Sequence, residues 1–183
     1  SEPPAEESSG FFSKRRKQVI KQDKKEDEFV NDTSIPSIGG IKMLNAKARA
    51  LNGLYRYKIA LDMIDQAMKQ DKESRYNAET WLNKGDSLFG LHRYVQSLRA
   101  YDRALGIDPR YVAAWIKKGD VLRTLGRFTE AVGAYDRAIS IDSGSAKAWY
   151  AKGNLLDVMG KRDEAKECTA KALEIDPNIA SKG

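Results

Sequence analysis

The sequence predicts an all-α solenoid of antiparallel helix hairpins, and three observations carry that expectation. Trp81, Trp115 and Trp149 recur every 34 residues, and Gly85, Gly119 and Gly153, Leu88, Leu122 and Leu156, and Ala104, Ala138 and Ala172 keep the same interval. Within each unit Trp, Gly and Leu stand at i, i+4 and i+7, one face of a helix with about 3.6 residues per turn. The units also close alike, as "ALGIDPR", "AISIDSG" and "ALEIDPN", with Pro109, Ser143 and Pro177 in one column. A residue before proline is pushed out of the α region, so Asp108-Pro109 and Asp176-Pro177 end their helices.

Residues 1–40 show no repeat. Their Pro, Ser and Glu-rich start, "KRRK" at 14–17 and the mixed-charge "KQDKKEDE" offer too little apolar surface to offset chain entropy, which predicts a flexible, mostly disordered charged arm. A transient helix from Phe11 to Val30 would group Phe11, Phe12, Val19, Ile20 and Phe29. Residues 41–77 read as a degenerate first hairpin. There "ALDMIDQAMKQD" aligns with "AVGAYDRAISID", so Ala60, Ile64 and Ala67 fill small, large and small columns, while Leu44 and Ala48 stand for Trp and Gly. This unit runs 37 residues, which lengthens the connection around "KESRYN".

Three regular hairpins follow at 78–111, 112–145 and 146–179, with 180–183 as a tail. In the middle one, Phe128, Ala131, Tyr135 and Ala138 form the second helix's matching face. Gly126 and Gly160 mark the turn between helices, where the preceding unit has His92. Glycine inside a helix costs roughly 1 kcal/mol relative to alanine, so the recurrence of Gly85, Gly119 and Gly153 predicts a close approach by the second helix. Ser143 in place of proline predicts a looser turn into the last unit, with Ser145 as N-cap.

The run W-x2-K-G-x2-L, then A-x3-Y-x2-A and a terminal Pro at this period, resembles the tetratricopeptide repeat over residues 78–179. Departures are Ser97 for Ala, Ser143 for Pro, and Arg162 and Thr169 for two aromatics. The resemblance implies a right-handed superhelix whose first helices line a concave groove that binds an extended or helical peptide. Carried over column by column, the groove residues are Asn83 and Asp86, then Lys117, Asp120 and Arg123, then Lys147, Tyr150, Asn154 and Asp157. Glu79, Leu82, Phe89, Ala113, Ile116 and Ala151 share those columns. Asp86, Asp120 and Asn154 each follow a column glycine, a ladder of acceptors for peptide amides, and Lys117, Arg123 and Lys147 are suited to acidic side chains. Chaperone-type members grip a C-terminal carboxylate with Lys and Asn, then Asn, then Lys and Arg. Here the columns read Leu82, Asp86, Lys117, Lys147 and Ala151, and no such clamp is expected.

The implied function is a protein–protein interaction scaffold whose partner is another protein or peptide. A recruiting or regulatory module cut from a larger enzyme or membrane-anchored protein is one alternative, prompted by the start at Ser1. A nucleic-acid-binding helical repeat is a less favoured one. Of the net charge of +6, residues 41–77 hold +4, the arm −1 and each later unit +1, and a phosphate-tracking surface needs a continuous basic stripe. "KRRK" reads as a solvated charge run.

Nothing points to an enzyme. His92 is the only histidine and has no Ser, Cys or Asp at a recognisable spacing, and no motif implies a metal, a cofactor or a small-molecule substrate. The tryptophans belong to repeat packing, and Cys168 behaves as a small hydrophobe. A single cysteine suits a reducing, cytoplasmic compartment, or the cytoplasmic face of a membrane if an upstream anchor exists. No stretch approaches the roughly 20 apolar residues that span a bilayer. Leu173 and Ile175 lack a following hairpin to cover them, which predicts either that the chain is part of a longer array or that it self-associates end to end through the last repeat.

Overall fold

The stops written into the sequence divide the chain into paired helices. The computed structural model describes residues 40–70 and 73–182, which belong to one compact unit; the charged arm, "KRRK" and the Phe11–Val30 helix lie outside the described residues. The helices are α1 (Gly40–Gly53), α2 (Tyr57–Gln70), α3 (Ala78–Gly90), α4 (Tyr94–Ile107), α5 (Val112–Thr124), α6 (Phe128–Ile141), α7 (Ala146–Val158) and α8 (Arg162–Ile175). Short 3-10 turns at Glu73–Tyr76 and Ile179–Lys182 complete the order, and no strand occurs among the described residues.

Consecutive helices pair as α1/α2, α3/α4, α5/α6 and α7/α8, and each second helix also packs on the next first helix. First helices touch one another as well, α1 with α3, α3 with α5 and α5 with α7. Stacking hairpins this way brings the first helices together on an inner face and leaves the second helices spread along the outer one.

Small residues let the layers close. Ala131, Ala134 and Ala138 of α6 are buried beside Tyr135, against Ile116 and Leu122 of α5 and Ala148 and Leu155 of α7. A Cβ on Gly119 would overlap the Tyr135 ring, 2.7 Å from Cδ1, and one on Gly85 would meet Cδ1 of Tyr101 at 2.7 Å. The glycine column therefore marks a real contact, and its helix-propensity cost is offset by packing.

The turn between helices uses left-handed backbone in every hairpin, at Gly126 (φ 74), Gly160 (φ 79), His92 (φ 58) and Tyr55 (φ 60). Only the first two supply the glycine that this region favours. Each tryptophan ties its helix to the preceding loop, its indole N–H donating to the carbonyl of Arg75 (2.8 Å), Pro109 (2.9 Å) or Ser143 (2.9 Å). The tryptophans are thus structural.

The Ser143 turn is not looser than its counterparts. Asp142 Oδ1 accepts from Gly144 N at 3.0 Å, as Asp108 does from Arg110 N at 2.9 Å and Asp176 from Asn178 N at 3.0 Å. The aspartate and the tryptophan-bound carbonyl hold the turn without proline. Ser145 sits at the N-cap, yet its side chain makes no capping bond.

Candidate functional site

The inner face is assembled from the exposed flanks of α1, α3, α5 and α7, so its charges come from residues three and four apart on neighbouring helices. Salt bridges cross between hairpins there: Arg49 of α1 to Glu79 of α3 at 3.1 Å, and Lys117 of α5 to Asp86 of α3 at 3.5 Å. A second, recurring set joins each first helix to the second helix before it: Lys84–Asp65 at 2.6 Å, Lys118–Asp102 at 2.7 Å and Lys152–Asp136 at 2.7 Å. The lysine three positions after each tryptophan therefore links hairpins and does not serve the inner face.

The acceptor ladder is partly spent inside the fold. Tyr101 donates its hydroxyl to Asp86 Oδ1 at 2.7 Å, and Tyr135 donates to Asp120 Oδ1 at 2.8 Å. Burial, followed by the neighbouring carboxylate, pushes both phenols well above the ordinary tyrosine range, so they remain protonated donors. Burial also raises the Asp120 carboxyl, against the opposing pull of the Tyr135 bond and of Lys117, Arg123 and Lys147. In the last hairpin Thr169 replaces the tyrosine, and Asn154 stands exposed.

The remaining sequence-derived positions separate by exposure. Lys117 and Tyr150 are half-buried, and Arg123, Lys147 and Asp157 are exposed. Among the described residues neither Arg123 nor Lys147 forms an ion pair. Asn83 departs from the expectation: it is 2% exposed and does not face an open surface. Its amide donates to Asn45 Oδ1 at 3.2 Å, because α1 covers this flank of α3.

Asn83 belongs to a polar seam between α1 and α3 that the repeat pattern did not reveal. Asn45 donates to Asn77 Oδ1 (3.1 Å), Thr80 donates to Asn45 Oδ1 (3.0 Å), Asn52 donates to the Asn83 carbonyl (3.0 Å), and Ser87 donates to Asn52 Oδ1 (2.8 Å). No buried side-chain nitrogen or oxygen among the described residues is left without a partner. A satisfied buried network rewards one register of α1 on α3, since a slip would orphan several groups together.

Cys168 is buried, and burial lifts its thiol above the ordinary value, which makes it a poor nucleophile. No cluster of three or more His, Cys, Asp or Glu among the described residues is arranged to hold a metal ion. None of the described helices is long and apolar enough to cross a membrane. After α8, the Ile179–Lys182 turn packs on α7 and α8, while Leu173 and Ile175 remain 38% and 37% exposed.

Tetratricopeptide repeat profiles match residues 45–109, 82–146 and 146–179. The chain belongs to the tetratricopeptide repeat family. The crystal structure of MamA superposes with a TM-score of 0.66 at 24% identity, over 78% of this chain and 82% of that one. TTC0263, a thermophilic tetratricopeptide repeat protein of Thermus thermophilus, gives 0.69 at 22% identity, over 77% and 76%. YrrB, described as a tetratricopeptide repeat protein with an unusual peptide-binding site, gives 0.64 at 23% identity, over 78% and 72%. At these identities the likeness is one of fold. No curated protein matches the sequence significantly.

Proposed function

We propose that this chain is a non-enzymatic scaffold that holds a segment of a partner protein along its inner face, with Arg123 and Lys147 anchoring acidic side chains of that segment. The observation that carries the reading is the charge inventory of the face. Arg49 and Lys117 already have carboxylate partners, whereas Arg123 and Lys147, on adjacent first helices, have none among the described residues. The acid they flank, Asp120, already accepts from Tyr135. A carboxylate arriving from outside would gain charge-assisted hydrogen bonds without displacing an existing pair. Tyr150, half-buried on α7 beside them, offers an apolar face to the same segment. The peptide-binding site ascribed to YrrB supports this use of the fold.

The Tyr135 bond decides the test. Replacing Asp120 would disturb packing as well as recognition, so Arg123→Ala with Lys147→Ala is the cleaner pair. Capture of partners from cell extract by the full chain is expected to lose specific proteins in the double variant while circular dichroism stays unchanged. An identical set of captured proteins would overturn the reading.

A further inference from the structure

The outer surface carries a second cleft, between α2 and α4 and floored by α3, with a volume of about 280 Å³. Leu61, Leu88 and Ala100 are buried beneath it, and Trp81 packs against that cluster. Lys84, Arg93, Arg99 and Arg103 rim it, with Asp65 as its one lining carboxylate. That carboxylate is spent on Lys84 at 2.6 Å.

The Arg93 column is neutralised in the two later hairpins. Arg127 makes two bonds to Glu130, both of 2.7 Å, and Lys161 pairs with Glu164 at 3.2 Å. The column that supplies Glu130 and Glu164 holds Gln96 in this hairpin, so Arg93 donates to a neutral acceptor and keeps its charge uncompensated. Where Arg99 stands, the later hairpins have Gly133 and Glu167. The Arg103 column keeps a cation throughout, as Arg137 and then Lys171, and Lys171 is paired with Glu174 at 2.8 Å. Among the described residues neither Arg99 nor Arg103 is in an ion pair. The α3/α4 hairpin thus lacks the acid that Glu130 and Glu164 supply in the two later hairpins, and it adds a cation at Arg99 where they have none.

We propose that this cleft is a second protein-binding site, distinct from the inner face, for an acidic partner segment in which carboxylates flank an apolar side chain. The apolar residue seats on the Trp81, Leu61 and Ala100 floor, and the carboxylates meet Arg93, Arg99 and Arg103. Guanidinium groups suit this role because they engage a carboxylate through two parallel N–H donors. A nucleic acid is the poorer occupant. Its phosphates would run on over the neighbouring hairpins, where Glu130 and Glu164 stand, and the apolar floor would have no phosphate to meet.

Fluorescence anisotropy on the full chain tests this with a labelled, C-terminally amidated peptide of core Glu-Glu-Phe-Glu-Glu. Its Gln-Gln-Phe-Gln-Gln counterpart and a single-stranded oligonucleotide serve as the other arms. Arg99→Glu with Arg103→Glu, both exposed positions, is expected to weaken the acidic peptide by roughly tenfold or more, the scale of a lost charge-assisted contact. Gln96→Glu, which recreates the pairing of Arg127 with Glu130, is expected to weaken it as well, with helicity preserved. Arg123→Ala with Lys147→Ala is expected to leave it unchanged, so failure here is distinct from failure of the inner-face reading. Equal binding of the Gln peptide, loss only in the inner-face variant, or oligonucleotide binding that follows Arg99 and Arg103 while the peptide does not bind would each overturn the proposal.

Discussion

The middle hairpin, α5/α6, and the last one, α7/α8, share the same 34-residue pattern and yet treat the same columns differently. In the middle one Tyr135 fills the space over Gly119 and donates to Asp120. In the last one Thr169 reaches Gly153, no tyrosine exists to engage Asn154, and an open depression of about 450 Å³ lies over Gly153 and Thr169. The middle hairpin is covered by α7, and no further helix pair covers the last one among the described residues. A column therefore defines which residue types are compatible with stacking. What a residue contributes depends on the neighbour that stacks upon it.

The glycines sharpen that contrast first. Gly119→Ala drives a methyl group into a fully buried ring whose hydroxyl is held by Asp120, so overpacking of about 1–3 kcal/mol outweighs a helix-propensity gain of about 1 kcal/mol. Gly153→Ala meets Thr169 Oγ1 at 2.7 Å and the Ala165 carbonyl at 3.2 Å, and the threonine can rotate away. Urea denaturation should therefore show a clear loss for Gly119→Ala and a smaller one for Gly153→Ala. Equal losses would break the comparison.

Next comes the tyrosine itself. Tyr135→Phe leaves the Asp120 carboxylate without its donor, at a cost of roughly 1.5–3 kcal/mol for a bond to a charged group. Thr169→Tyr in the last hairpin should act in the opposite sense, filling the depression and stabilising by about 0.5–2 kcal/mol. Thermal unfolding followed by circular dichroism reads both. A Thr169→Tyr variant that unfolds earlier would show that the column works only beneath a stacked neighbour.

The acid below Tyr135 adds a pH signature. Because burial raises the Asp120 carboxyl in the folded state, the folded chain holds a proton that the unfolded chain has already released just above the usual carboxylate range. Stability contributed by this group falls as pH rises through that window, and the loss is complete once the folded-state carboxyl has ionised. Asp120→Asn, which mimics Asn154, should remove that part of the slope. Parallel urea-midpoint profiles against pH for the two proteins would sink the assignment.

The smallest effect lies in the turns. His92 and Tyr55 adopt left-handed backbone where Gly126 and Gly160 stand elsewhere. His92→Gly should stabilise by about 0.5–1 kcal/mol, reduced by loss of the 2.8 Å contact between His92 Nδ1 and Tyr94 Oη. Gly126→Ala should cost about 1 kcal/mol, and a neutral result in melting experiments would mean that the turn relaxes.

The helix pairs, their stops and the glycine column were legible in the sequence because each rests on local rules: a 3.6-residue period, proline after aspartate, and a small residue repeated at a fixed interval. The resemblance to tetratricopeptide repeats was legible for the same reason. The candidate site was only half legible. The repeat columns imply surface positions for Lys117, Arg123 and Lys147, and these are half-buried or exposed, but Asn83 read as a surface amide although α1 buries it against Asn45. A polar side chain states no preference between solvent and a satisfied interior. Arg93, Arg99 and Arg103 were visible as charges, and a comparison of the Gln96, Glu130 and Glu164 column held the signal, yet only the packing of α2 beside α4 made a cleft of them.

By itself, then, the sequence determined that this protein is a stack of helical hairpins with tryptophan, glycine and alanine at the contacts, because those choices are enforced by helix geometry within each unit. Only the tertiary structure decided which charges are free. Asp86 and Asp120 are bound by tyrosines 15 positions away, Lys84 and Lys118 are tied to the preceding hairpin, and Arg99, Arg103, Arg123 and Lys147 form no ion pair among the described residues. Pairing is a matter of distances between hairpins, and these are set by how the units stack.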